Sequence, residues 1–204
     1  MIRVIKCDGA DLVLPKRETV RYLGYGSKTP DDPELLKRID ECTETVRKAL
    51  DCKACFDRFP LTQLKDGVRL GSVDLFSKDL KRHLSGCREA YLFTATLGLA
   101  VDRILQRFSL LSPADAVIAE AVGTTAIENF CDEIERQLHQ SEPAPFRTRF
   151  SAGYGDFPLE TQPILLNLLD TSRKIGVTLT EGLMMTPTKS VSAIIGIGGT
   201  DSAL

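Results

Sequence analysis

The chain has 204 residues, enough for one domain with a real core, and its composition is ordinary for a globular protein, with 43% hydrophobic and 26% charged residues. Twenty-six basic side chains against 28 acidic ones leave a formal charge of −2, so no excess of positive charge exists to hold a phosphate backbone, which argues against nucleic acid as a partner. No stretch has the roughly 18 to 20 uninterrupted apolar residues of a membrane span, and the N-terminus lacks the apolar run of a signal peptide; the expected setting is cytoplasmic, without a membrane partner.

Residues 2 to 7 (IRVIKC) are rich in β-branched residues and read as a strand, followed by a short helix over KRETVRYLGY. Pro33 after Asp32 predicts a helix start, and Leu36, Ile39, Val46 and Leu50 share one side of it; residues 10 to 50 are a possible small helical lobe. CFDRFPLTQ and VRLG around Asp66-Gly67 predict two short strands about a turn. Ser72 with Asp74 predicts the cap of a helix over VDLFSKDLKRHL that Ser85-Gly86 ends. EAYLFTATLG reads as a buried strand, and AVDRILQRFSLL as a helix.

Ser112-Pro113, with Asp115 three residues after the serine, predicts the start of a long helix reaching about His139. Along it Ile127, Phe130, Cys131, Ile134 and Leu138 form a core-facing stripe with Glu128 on its flank, where a carboxylate is partly desolvated. After the SEPAP break, RFSAGYGDFP passes from a short strand into a Gly-Tyr-Gly turn. A helix follows from about Gln162 to Lys174 with Gly176 beyond it, then two or three strands with Pro187 to Lys189 as a turn. Strands at the start, middle and end with hairpins and helices between them predict an α+β fold with a mainly antiparallel or mixed sheet, in a single domain over residues 1–204.

The candidate chemistry is sparse. Cys52 and Cys55 have CxxC spacing, but no second pair completes a four-ligand zinc site, and a redox dithiol belongs at a helix start rather than in a strand, so buried structural thiols are the plainer reading. His83 and His139 stand near helix ends, where a dipole-facing imidazole with its ring in water is expected. GxSxG, HExxH and P-loop patterns are absent, and the glycines of GIGG open no helix. No catalytic or metal-ligating residue is assigned. TRFSAGYGDFP differs in kind, since Arg149 offers two parallel N–H donors to a carboxylate and Tyr154 offers a stacking face and a hydroxyl. Together they suit an amino-acid ligand that carries an aromatic base; the alternative is a tight turn in which both are packing and surface groups.

Three motifs, R-F-S-A-G-Y-G-D-F-P, a helix ending K-I-G, and V-T-L-T-E-G-L-M-M-T-P-T-K-S-V-S, resemble in order and spacing the activation (reactivation) domain of cobalamin-dependent methionine synthase. AIENFCDEI on the long helix is weakly similar to the same family. The resemblance implies a bent antiparallel sheet flanked by helices. It also implies binding of S-adenosylmethionine for reductive methylation of cob(II)alamin, with a flavodoxin-like or ferredoxin-like electron donor. By motif, Arg149 contacts the ligand carboxylate, Tyr154 lies against the ligand, Glu128 holds its amino group or ribose, and the Ala152 and Gly153 backbone shapes the pocket. An Asp-x-His-x-x-Gly cobalamin motif is absent from the sequence. The implied role is therefore that of a free-standing accessory, one part of a methyltransferase system, acting in trans on a corrinoid protein or on a methionine synthase that lacks this domain. Two alternatives remain: a docking module for a cobalamin-binding partner that does not use S-adenosylmethionine, and a thiol-redox protein built on Cys52 and Cys55.

Overall fold

The computed structural model describes residues 1–26, 28, 30–142 and 144–198. Its framework is a six-stranded antiparallel sheet in the order β4-β3-β2-β5-β8, with β1 also paired to β2. The strands are β1 (Arg3–Asp8), β2 (Asp51–Gln63), β3 (Gly67–Leu70), β4 (Val73–Phe76), β5 (Glu89–Thr96) and β8 (Ser190–Ile197). β2 joins the two parts of the sheet: over residues 53–60 it pairs with β5, and its last three residues continue past β5 to pair with β3. The expected α+β class with a bent antiparallel sheet is the class observed.

Strand alternation sends successive side chains to opposite faces, and each face buries its own core. On the first face Phe56, Tyr91, Phe93 and Ile195 meet α2 (Pro33–Arg47) and α5 (Pro113–Ser141), flanked by α1 (Lys16–Val20) and α4 (Leu99–Leu111). Ile39, Cys42 and Val46, from the segment read as a possible helical lobe, are buried in this same core. The second face packs Cys55, Leu92 and Ile194 against α3 (Lys78–His83), α6 (Gln162–Leu168), α7 (Thr171–Ile175) and Phe157. A two-stranded sheet, β6 (Thr178–Leu179) with β7 (Met185–Thr186), completes the chain before β8.

α5 starts where its capping residues place it: the Ser112 hydroxyl accepts from the Asp115 N–H at 3.3 Å, and Pro113 takes a first-turn position needing no N–H partner. The predicted stripe of Ile127, Phe130, Cys131, Ile134 and Leu138 is buried throughout. Asp32 caps α2 in the same way, accepting from Glu34 and Leu35 N–H.

Two of the expected helices differ from expectation. Residues 73–76 form a strand, and the helix begins only at Lys78. Gly71, at φ +59°, lets Gly71-Ser72 close a two-residue hairpin between β3 and β4, where Arg69 stands opposite Asp74 and pairs with it at 2.5 Å. Ser77, not Ser72, is the cap, accepting from Leu80 N–H at 2.9 Å. The helix expected over residues 162–174 is two helices, because Asp170 adopts a left-handed φ of +49° between them.

CxxC spacing in a strand has odd parity, so Cys52 belongs to the first core and Cys55 to the second, on opposite sides of the sheet. They do not form a dithiol. Burial pushes both thiols up to about 12, which leaves almost no thiolate at neutral pH. His83 is half-buried rather than free in water, hydrogen-bonding the Thr148 carbonyl at 2.8 Å beside Phe150, whereas His139 is exposed in the last turn of α5, as expected, with one face stacked on Phe146 at a centroid distance of 3.9 Å.

Candidate functional site

The segment after α5 runs along the outer edge of β8. Arg147 N–H bonds the Gly196 carbonyl at 2.9 Å, and Phe150 exchanges two bonds with Ile194, at 3.0 and 2.9 Å. The expected short strand before the glycine turn is thus a pair of isolated bridges, Phe146 to Ile197 and Phe150 to Ile194. After Phe150 the chain peels away into a compact turn. Tyr154 N–H bonds the Ser151 carbonyl, Phe157 N–H bonds the Tyr154 carbonyl and Gly153 N–H bonds the Phe157 carbonyl. Gly153 at φ +93° and Gly155 at φ +53° occupy backbone conformations that side chains resist.

Two anchors hold this turn. Phe157 is fully buried in the second core. Asp156 reaches the start of α3, accepting from the Ser77 hydroxyl at 2.5 Å and from Lys78 and Asp79 N–H at 2.9 and 3.0 Å, while Asp79 accepts in return from Asp156 N–H at 3.2 Å. These donors hold the Asp156 carboxyl below the usual carboxylate range, the Ser77 hydroxyl contributing most.

Where the chain leaves β8 a cleft of about 290 Å³ opens, lined by Glu128, Arg149, Ala152 and Tyr154, with Ser190, Ser192, Gln162 and Met185 among its other walls. Four of the five residues singled out from sequence therefore line one cavity. Gly153 does not line it; its place is in the turn that carries Ala152 and Tyr154.

Arg149 is held from α5. Glu128, Asp132 and Glu135 project from one helix face at spacings of four and three, and the guanidinium donates Nη2 to Glu128 at 2.9 Å and Nη1 to Asp132 at 2.9 Å and Glu135 at 2.7 Å. Its side chain is 23% exposed. Burial acts to lower the Arg149 pKa and is outweighed by Cys131, Glu135 and Asp132 around it, so the net shift is upward. Glu135 is shifted up from its ordinary value by burial, which Arg149 only partly offsets. Three carboxylates thus surround one guanidinium, and Nε has no hydrogen-bond partner among the described residues. Tyr154 is 64% exposed and leans on Phe150, with centroids 6.2 Å apart.

Residues 135–202 match the family model for the activation domain of vitamin B12-dependent methionine synthase. The match covers the last third of the chain and includes every candidate in the turn, Arg149 to Tyr154; Glu128 lies just ahead of it. A solved structure described as the MetH reactivation domain bound to AdoHcy superposes on the whole chain and on 80% of its own, with a TM-score of 0.72 at 14% identity. The chain thus has the activation-domain fold. No curated protein sequence matches it. Among the described residues no helix is long and apolar enough to cross a membrane, and no cluster of three or more His, Cys, Asp or Glu is arranged to hold a metal.

Sequence reasoning missed the far wall of the cleft. Ser190 and Ser192 belong to the S-V-S motif, whose alternation puts both serines on one face. There they join the hydroxyls of Thr96 and Thr94 on β5 at 2.9 and 3.2 Å. Asp132, inside AIENFCDEI, and Glu135, just beyond it, were legible as i+4 and i+7 partners of Glu128 but were not singled out.

Proposed function

We propose that the protein binds S-adenosylmethionine in the cleft between β8 and the turn over residues 151–157, and that it supports the reductive methylation of a cob(II)alamin carried by a separate corrinoid protein or methionine synthase. The single observation that carries this reading is the convergence of Glu128, Arg149, Ala152 and Tyr154 on one cavity, in a chain with the activation-domain fold.

The residues fit the ligand's chemistry. Arg149 retains N–H donors for a carboxylate, and Glu128, paired through only one oxygen, keeps its other oxygen for an ammonium group or a ribose hydroxyl. Three carboxylates against one guanidinium leave the cluster with surplus negative charge, which favours a ligand bearing a sulfonium cation. Tyr154 at the rim supplies an aromatic face. The corrin of the partner supplies the methyl-accepting chemistry, and this chain's residues bind and orient the ligand and exclude water. The electron comes from a flavodoxin-like or ferredoxin-like donor in this reading.

The test is calorimetric titration with S-adenosylmethionine and S-adenosylhomocysteine. Saturable binding that Tyr154→Ala weakens, with the ligand-free melting temperature unchanged, is the expected result; no heat and no ligand-induced rise in melting temperature refutes the reading. The three ion pairs that hold Arg149 against α5 favour one second reading, in which Arg149 is structural and the domain only docks onto its cobalamin-binding partner. Partner capture that persists without S-adenosylmethionine and in the Tyr154→Ala variant distinguishes it.

A further inference from the structure

The outer edge of β8 is only partly paired. Ile194 exchanges both of its main-chain bonds with Phe150, and Gly196 accepts from Arg147. Along an unbulged strand every second residue directs its N–H and C=O to the same edge, so those of Ser192 and Ser190 point outward as well. No hydrogen bond reaches them among the described residues. The segment that pairs β8 departs at Ser151, and the cleft occupies the place where its continuation would lie, with Ser190, Val191 and Ser192 as its wall.

Ser192 carries a second unmet group. The residue is 5% exposed, and its hydroxyl oxygen accepts from Thr94, so its own hydrogen has no acceptor among the described residues. Buried polar groups left open in this way are expensive unless a ligand or water meets them.

We propose that the open edge of β8 is a recognition element in which the main-chain N–H and C=O of Ser192 bind a ligand group that presents an acceptor beside a donor. The base edge of adenine and an α-amino carboxylate share that chemistry. The proposal rests on the reading of the cleft as an S-adenosylmethionine site, and it assigns the S-V-S segment a role in holding the ligand: the backbone reads the polar group while the serine hydroxyls, tied to Thr94 and Thr96, keep that stretch of strand in place.

Ser192→Pro deletes the outward N–H without removing a bond to β5, and proline is tolerated on an edge strand when its nitrogen faces outward. Ser192→Ala removes the hydroxyl and keeps the N–H. Both variants and the wild type are titrated with S-adenosylhomocysteine, adenosine and methionine. The expected result is a loss of about tenfold in S-adenosylhomocysteine affinity for Ser192→Pro against about threefold or less for Ser192→Ala. A parallel loss with adenosine identifies the base as the group read, and one with methionine identifies the amino acid. Wild-type affinity in Ser192→Pro, or equal losses in both variants, overturns the proposal.

Should the proline variant fail to fold, amide exchange in the wild type decides. Saturating S-adenosylhomocysteine slows exchange at Ser192 and leaves the already paired Ile194 unchanged; binding without that slowing overturns the proposal and leaves the reading of the cleft intact. No binding by the wild type overturns both.

Discussion

Gly155 and Gly153 lie two residues apart in the same turn, both at positive φ, yet alanine should be tolerated very differently at the two positions. An L side chain in the left-handed region costs about 1 to 2 kcal/mol, and that applies to both. A Cβ on Gly153 finds only Leu159 Cδ1, at 3.6 Å, an ordinary contact. A Cβ on Gly155 falls 2.2 Å from Asp79 Oδ2, which itself accepts the Asp156 N–H. Relieving that overlap displaces the Asp79 carboxylate from the lock between the turn and α3, and overpacking of this kind adds about 1 to 3 kcal/mol. At about 2 to 4 °C per kcal/mol for a chain of this size, Gly155→Ala should lower the melting temperature about twice as far as Gly153→Ala. The assay is differential scanning calorimetry of both variants in the wild-type and Asp79→Ala backgrounds. Removing the Asp79 side chain should abolish the excess and leave only the shared backbone share. Equal losses for the two glycines, or an excess that survives in Asp79→Ala, would refute the assignment of Asp79 as the obstacle.

Three further outcomes follow from the side-chain environments. Arg149→Ala strands Glu128, Asp132 and Glu135 beside one another and should destabilise the ligand-free protein by about 1 to 3 kcal/mol in urea titration; an unchanged midpoint would mean the three pairs contribute nothing. Glu135 binds its proton more tightly folded than unfolded, so its ionisation opposes folding above its folded pKa, and that penalty fades as the pH falls toward the ordinary value of 4.5. The stability of wild type relative to Glu135→Gln should therefore rise as the pH is lowered through that window, and a fall would contradict the sign. Cys52 and Cys55, with thiols at about 12, should resist iodoacetamide at pH 8 until the protein unfolds, whereas half-exposed Cys7 should be alkylated before them; rapid native-state labelling of either buried thiol would overturn the burial argument.

How much was legible from sequence depended on how local the deciding contact is. The Ser112-Pro113-Asp115 start of α5 and its apolar stripe are set within the helix itself, so spacing alone located them. The boundary at Ser72 misled because Ser72 and Ser77 are both competent caps. What separates them is the Gly71-Ser72 hairpin on one side and, on the other, Asp156, which meets α3 from 79 residues away in the chain. Arg149 and Tyr154 stood out because the glycines on both sides of Tyr154 announce an unusual backbone. The carboxylates that neutralise Arg149, and the serines opposite, became visible only once α5, the departing segment and β8 were placed side by side. The parity of Cys52 and Cys55 was readable in principle, since a strand at that position already implies opposite faces.

The incompletely paired edge of β8 has a consequence for how molecules of this protein meet one another. Exposed strand edges invite addition of a foreign strand, and proteins guard them with short lengths, charge and covering segments. Among the described residues the free stretch is only Ser190 to Ser192, it is overlooked by Glu128 and Arg149, and the residues beyond it are sealed by Phe150 and Arg147. The gap is wide enough for a small molecule and too short for a strand to gain a register. Lengthening it, for instance by a proline in place of Phe150 that removes the bond to the Ile194 carbonyl, would convert a ligand-sized opening into a site for self-association.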